Sequence, residues 1–299
     1  MTSYPPVAPQ NGGTFTSTIH GSSYPFIQTA KHAGRHVLIT GGARGIGMNI
    51  ALSFAKAGAS AIVVADISEF SEQLVSDIAT AAREKGHGVP RTMVIRLDVT
   101  DEDSVRKCAE TIERQFNGKL DILVNNAGFM TPALPVPDSH TSSWWRTMEV
   151  NLKGVYLMSK YFVPLLVSTP DGLKTMININ SVAAHNLRPM ASAYGTSKLA
   201  VLKLTEFLMV EAGNKGLLAY SVHPGAVLTE LAEKGMPPET LSGLSDNVDL
   251  PGDTVTWLSQ EHREWLAGRY ISSTWDMSEL LERKAEIVEG DKLKVRLVV

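Results

Sequence analysis

One cysteine, Cys108, occurs in 299 residues. That excludes an intrachain disulfide and any metal site built on several thiolates. The eight histidines include no His-Glu-x-x-His, so zinc hydrolase chemistry is disfavoured and no metal is expected. Neither sign of charge dominates, with 28 Lys plus Arg against 31 Asp plus Glu and a formal net charge of −3. Without a basic excess, nucleic acid is not an expected partner. Long apolar runs are missing as well. Ala61-Ile-Val-Val-Ala65 is typical and falls far short of the ~20 residues that cross a bilayer. The first residues carry no basic segment leading into an apolar one, so the expectation is a cytoplasmic protein without a secretory signal or membrane partner.

What remains is ordinary globular material, 43% apolar and 20% charged, long enough to bury a sizeable core. Residues 1–34 are rich in Pro, Gly, Ser and Thr and read as a polar arm, flexible or laid over the surface. Short apolar strands are then predicted at His36–Thr40, Ala61–Asp66, Thr92–Leu97, Asp121–Asn125, Thr175–Asn180 and Leu217–Val222, with a seventh within Gly268–Ser273. Helical runs separate them, at 46–57, 72–85, 101–116, 142–166 and 193–213. Strands alternating with helices predict βαβ units, hence an α/β fold with a doubly wound parallel sheet over 35–276 and helices on both faces. Its ligand crevice should lie at the carboxyl ends of the strands. From 229 to 256 the pattern lapses into Gly, Pro, Ser and Asp, as expected of a substrate lid. In the extension 277–299, helix is expected over 278–289 and an edge strand or contact segment over 292–299.

Thr40-Gly-Gly-Ala-Arg-Gly-Ile-Gly47 links the first strand to the first helix. Glycine lets backbone amides approach a pyrophosphate, and the helix N-terminus supplies open N–H groups and partial positive charge. Asp66 ends the next strand, where a carboxylate would accept hydrogen bonds from a ribose and repel a 2′-phosphate. Arg44 argues the other way, since a guanidinium could meet that phosphate. NAD is therefore favoured and NADP remains open.

Downstream, Tyr194 follows Ser181 by thirteen positions and Lys198 lies four residues further on. An unperturbed phenol titrates near ~10, too high for an efficient base. A lysine one helical turn on is expected to favour the phenolate. Tyr156 and Lys160 have the same spacing, but no strand-end hydroxyl precedes them. They read as a helix surface or subunit contact.

The ordered set Thr40-Gly-x-x-x-Gly-x-Gly47, Asp98-Val99, Asn125-Asn-Ala-Gly128, Asn151, Ser181, Tyr194-x-x-x-Lys198 and Pro224-Gly-x-Val-x-Thr229 resembles the short-chain dehydrogenase/reductase family over about residues 35–230. The resemblance implies a catalytic set of Asn151, Ser181, Tyr194 and Lys198. It further implies cofactor contacts from Gly41, Arg44, Gly45, Ile46, Gly47, Asp66, Ile67, Asp98, Val99, Asn125, Ala127, Gly128, Tyr194, Lys198, Pro224, Gly225, Val227 and Thr229. Lys198 would hold the nicotinamide ribose, and Asn151 a water that relays protons. A homodimer or homotetramer is implied too. Met130, Leu134, Leu187, Met190, Leu228 and Leu231 would wall an apolar pocket, with Arg188 nearby and His185 expected on the substrate side.

The expected activity is interconversion of a secondary alcohol and a carbonyl on a small, mostly apolar substrate. An isomerase or cyclase without net redox change, and a non-catalytic cofactor-binding protein, are the alternatives. Ala183-Ala184 and Ile271-Ser-Ser-Thr-Trp-Asp276 depart from the family's glycine preferences. The arm and the Thr274-Trp-Asp-Met277 ending resemble fungal specialised-metabolism members.

Overall fold

Side chains along a buried strand point alternately to the two faces of its sheet, so each strand serves two cores. That division organises the protein, whose computed structural model describes residues 12–297. Residues 1–11 of the polar arm and 298–299 of the expected terminal strand lie outside the described residues. The strands are β1 (His36–Thr40), β2 (Ala61–Asp66), β3 (Arg91–Arg96), β4 (Ile122–Asn125), β5 (Thr175–Ile179), β6 (Leu218–His223) and β7 (Tyr270–Ser272). They form one parallel sheet in the order β3-β2-β1-β4-β5-β6-β7. Val37, Ile39, Ile62, Val64, Val124 and Tyr220 face one core, while Leu38, Val63, Ala65, Leu123, Met176 and Ala219 face the other. The strand order reverses between β1 and β4, which opens a crevice at their carboxyl ends.

Helices α1 (Gly45–Lys56) and α2 (Leu74–Glu84) cover the first face. Helix α3 (Glu102–Gln115) covers the second together with a long helix that the sequence presents as one run. That run is α4 (Thr141–Met148), a π-turn at Glu149–Lys153, and α5 (Gly154–Ser168). Helix α6 (Ser192–Ala212) runs antiparallel to the strands and spans the sheet beside β6.

The segment expected to lack regular structure instead contains α7 (Glu230–Gly235), α8 (Pro238–Leu241) and α9 (Asp249–Ser259). Helix α9 is a core element packed along α1, with Leu250, Val255 and Leu258 fully buried. Its Pro251 lies in the first turn, where no N–H is required, so the breaker breaks nothing. Gly252 allows close approach, because a Cβ there would lie 2.5 Å from Ser53 Oγ. Asn49 Nδ2 donates to Asp249 Oδ1 at 3.0 Å and Ser53 Oγ to Asp253 Oδ1 at 2.7 Å, completing the seam. A stretch that resembles loop in composition is held as helix by tertiary contact.

The tail forms α10 (Met277–Glu282) and α11 (Lys284–Glu289), as expected. The predicted terminal strand is not formed over Lys292–Leu297. Its lysines fold back onto acids, Lys292 to Glu286 and Lys294 to Asp291, and one backbone bond, Tyr270 N to Leu293 O at 2.8 Å, ties it to β7. The described part of the arm lies across this end of the molecule. Trp275 is fully buried, donates from Nε1 to Gly12 O at 2.8 Å and packs on Phe15. His20 N donates to Thr274 O at 2.8 Å, and Asn247 N to Gly21 O at 2.7 Å. No helix among the described residues is long and apolar enough to cross a membrane.

Candidate active site

The glycine turn is built by close approach. Gly41 has φ +63°, and a Cβ on it would sit 2.7 Å from Ala127 Cα; one on Gly47 would sit 2.2 Å from Gly41 O. Asn126 draws the β4 loop onto this turn, its Nδ2 donating to Thr40 O at 3.0 Å and to Gly41 O at 2.8 Å. Thr40 Oγ1 accepts from the amides of Asn126 and Ala127, each at 3.1 Å. Arg44 occupies the N-cap of α1 without a side-chain cap, so no side chain there competes for the first-turn amides. Asp66 stands at the end of β2, its Oδ2 accepting from Ala43 N at 3.0 Å and its Oδ1 from Ser68 N at 2.9 Å. Arg44 Nε pairs with Glu230 of α7 at 2.8 Å, so the guanidinium bridges the turn to α7. Open helix amides, a turn only glycine fits and a strand-end carboxylate suit a dinucleotide.

Other expected cofactor residues lie along the same crevice. Ile67 is exposed, Asp98 Oδ1 accepts from Thr100 N and Oγ1, and Val99 is buried against Gly154. Gly128 lies beside Asn151 and Leu231. Pro224, Gly225, Val227 and Thr229 follow β6; Asp246 Oδ2 accepts from Ala226 N at 2.6 Å, and Thr229 Oγ1 caps α7. The Asn125 side chain turns into the sheet, where Nδ2 donates to Asn178 Oδ1 at 2.8 Å, and strand alternation turns Asn126 toward the glycine turn.

Ser181, Tyr194 and Lys198 come together. Ser181 follows β5 and caps a short 3₁₀ turn, its Oγ accepting from Ala183 N at 3.2 Å. It shares a hydrogen bond with Tyr194, in the first turn of α6. Lys198 Nζ lies 5.6 Å from the Tyr194 ring centroid and donates to Ile179 O at 2.8 Å. Burial pushes the Tyr194 phenol up to about 12, and the Ser181 bond draws it back only in part. Burial likewise lowers the Lys198 ammonium to about 8. Burial and the Ser181 bond, rather than the lysine charge, set the direction of the Tyr194 shift. Asn151 sits in the π-turn, Nδ2 donating to Phe129 O at 2.9 Å and to Ser197 Oγ at 3.0 Å, while Oδ1 accepts from Phe129 N at 2.8 Å. The look-alike pair is elsewhere: Tyr156 is exposed, and Lys160 pairs with Glu102 of α3.

Ser181 and Tyr194 open into a cavity of about 440 Å³. Met130, Met190, Leu231, Ile46, Met236 and Leu244 supply most of its apolar wall, and Arg188 lies on it too. Leu134, Leu187, Leu228 and His185 are not on the wall. Leu187 and Leu228 point to solvent. Beside Leu228, Val227 is turned inward by its bridge to Asp246. The His185 ring packs edge-on against Tyr270. Met236 and Leu244 were missed because they follow short helices hidden in a loop-like composition. His223, also on the wall, carried no signal beyond lying just before Pro224. The spacing of His32 and His36 would align two ligands on a helix, but this segment turns into β1 and His32 Nε2 bonds Thr256 O. Among the described residues no group of three metal-ligating side chains occurs.

A short chain dehydrogenase family profile matches residues 35–239. A Monascus purpureus protein, short chain dehydrogenase mpl6, is 47% identical over 97% of this chain and 99% of its own length. Among solved structures, carveol dehydrogenase from Mycobacterium avium in complex with NAD superimposes with TM-score 0.69 at 21% identity, over 82% of this chain and 97% of that one. A blue fluorescent protein from a metagenomic library in complex with NADPH gives TM-score 0.67 at 27% identity, over 80% of this chain and 96% of that one.

Proposed function

The chain belongs to the short chain dehydrogenase family, and from that membership we propose that it interconverts a secondary alcohol and a ketone with Tyr194 as acid and base. The observation that carries the reading is the hydrogen-bonded Ser181–Tyr194 pair at the mouth of an apolar cavity, with Lys198 one turn further along α6. The chemistry that a bound nicotinamide would supply is hydride exchange with the substrate carbon. Tyr194, held protonated at neutral pH, donates its proton to the substrate oxygen during reduction. Ser181 steadies the charge developing on that oxygen. Lys198 would hold the ribose of the cofactor beside Tyr194, and Asn151 fixes the Phe129 loop against α6.

The pyrophosphate would rest on Gly41, Gly45, Ile46 and Gly47, with Asp66 on the ribose. Asp66 favours NAD over NADP; Arg44 is engaged through Nε by Glu230. Residues 229–247 act as the substrate lid, since α9 beyond them belongs to the core. Exposed Tyr156, Leu199, Phe207 and Val210 on α5 and α6 favour a homo-oligomer. The Monascus relative favours a role in fungal specialised metabolism. A mostly apolar, cyclic or aromatic ketone suits the cavity.

Purified protein with reduced nicotinamide and a panel of such ketones tests the reading. Loss of reduced-nicotinamide absorbance with equimolar alcohol is expected. Product without cofactor consumption would favour an isomerase or cyclase, and cofactor binding without product would favour a non-catalytic protein.

A further inference from the structure

His223 ends β6, and the reaction above makes no use of it. Its ring lines the cavity that Ser181 and Tyr194 open into, yet its Nδ1 is sealed from solvent and has no hydrogen-bond partner among the described residues. Tyr270 of β7 holds the ring in place, lying nearly parallel to it with centroids 6.4 Å apart. His185 packs edge-on against the same tyrosine at 4.7 Å, and Trp275 supports it at 5.9 Å. A histidine gripped this way is a fixed part of the wall.

The protonation state follows from these surroundings. Burial, with smaller contributions from His185 and Arg188, lowers His223 to about 3, so the imidazole is neutral near pH 7. A neutral imidazole carries one N–H and one bare nitrogen. An N–H buried at Nδ1 would lose a hydrogen bond, whereas a proton on Nε2 can find a partner wherever the ring is open. The residue is only half-buried, and the cavity is what it lines.

Position supplies the rest. Val222 pairs with Ile179, and Asn180 N donates to Val222 O at 2.6 Å. His223 therefore stands one strand, ~4.8 Å, from the chain leading into Ser181. We infer that His223 is a specificity residue whose Nε2–H binds a second oxygen of the substrate, a few bonds from the reacting carbon. The substrate class is then a ketone bearing a neighbouring oxygen acceptor, such as a second carbonyl. This inference rests on the oxidoreductase reading of the same site.

Two probes that share a carbon skeleton test it: 1-phenylpropan-2-one and 1-phenylpropane-1,2-dione. Affinity is measured by calorimetry on the full chain with cofactor, and turnover by reduced-nicotinamide absorbance. Wild type should bind the dione at least about tenfold tighter, a factor worth about 1.4 kcal/mol. His223→Leu should lose most of that preference, and His223→Asn, which keeps a donor, should recover part of it and stands in if the leucine variant does not fold. No binding of the dione, equal affinity for the two probes, or a preference untouched in His223→Leu would overturn the inference. A preference that disappears in the variant supports it even without turnover, and absent turnover then counts against the oxidoreductase reading alone.

Discussion

Tyr194 and Lys198 illustrate what burial does to a pair that spacing alone would misjudge. Desolvation disfavours each charged form, so the phenol rises to about 12 and the ammonium falls to about 8. On the proposed mechanism, Tyr194→Phe removes the proton delivered to the substrate oxygen. Turnover should fall by at least ~10²-fold, the usual range for a general acid, while cofactor affinity measured by fluorescence titration changes far less. Lys198 also makes a stability statement. Its pKa is lowered on folding, so the unfolded chain binds more protons between about pH 8 and 10.5 and stability rises with pH across that window. Below pH 8 the burial cost is fully present, at about 3 kcal/mol. Lys198→Met should therefore be more stable than wild type at pH 7, with an advantage that shrinks toward pH 10. Urea denaturation at both pH values measures it, and an advantage that grew with pH would refute the assignment.

At the scale of elements, most of the architecture could be read directly. Buried strands of five or six apolar residues declare themselves, as at Ala61–Asp66, because both faces of a parallel sheet demand apolar side chains. Helix α9 could not be read. Its Pro251 and Gly252 imitate a loop, and what makes it helical is the groove along α1 that Gly252 fits. Gly252→Ala would force a methyl to within 2.5 Å of Ser53 Oγ and 2.8 Å of Asn49 Oδ1. The expected cost is about 1–3 kcal/mol from overpacking, outweighing the helix propensity gain of under about 1 kcal/mol. A lower chemical denaturation midpoint checks this, and an unchanged or higher one would show that the seam has slack. The π-turn at Glu149–Lys153 was equally silent, since Asn151 sits in it amid an otherwise regular helical run.

Across the whole molecule, the arm, the C-terminal segment and the cavity wall form one packed sequence of aromatic contacts. Phe15 lies on Trp275, Trp275 on Tyr270, and Tyr270 on both His185 and His223. The outer members of that chain lie beyond the family-matched residues 35–239. Trp275→Ala should cost about 3–5 kcal/mol, as for other fully buried tryptophans. It should also loosen the arm, read as faster amide exchange at His20 and Asn247, whose N–H groups bond Thr274 O and Gly21 O. Protection that persisted at both amides would mean that the arm is held independently of Trp275.

By itself the amino-acid order determined the alternating strands, the glycine turn and the succession of Ser181, Tyr194 and Lys198. Each of those depends on residues near one another in the chain, where period and spacing carry the information. Only the tertiary structure turned Asn125 inward and Asn126 toward the glycine turn, made a helix of Asp249–Ser259, and put His223 on the cavity wall. Those outcomes depend on partners far away in sequence, such as Asn178, Thr40, Ser53 and Tyr270, and no local pattern records which distant surface a side chain will meet.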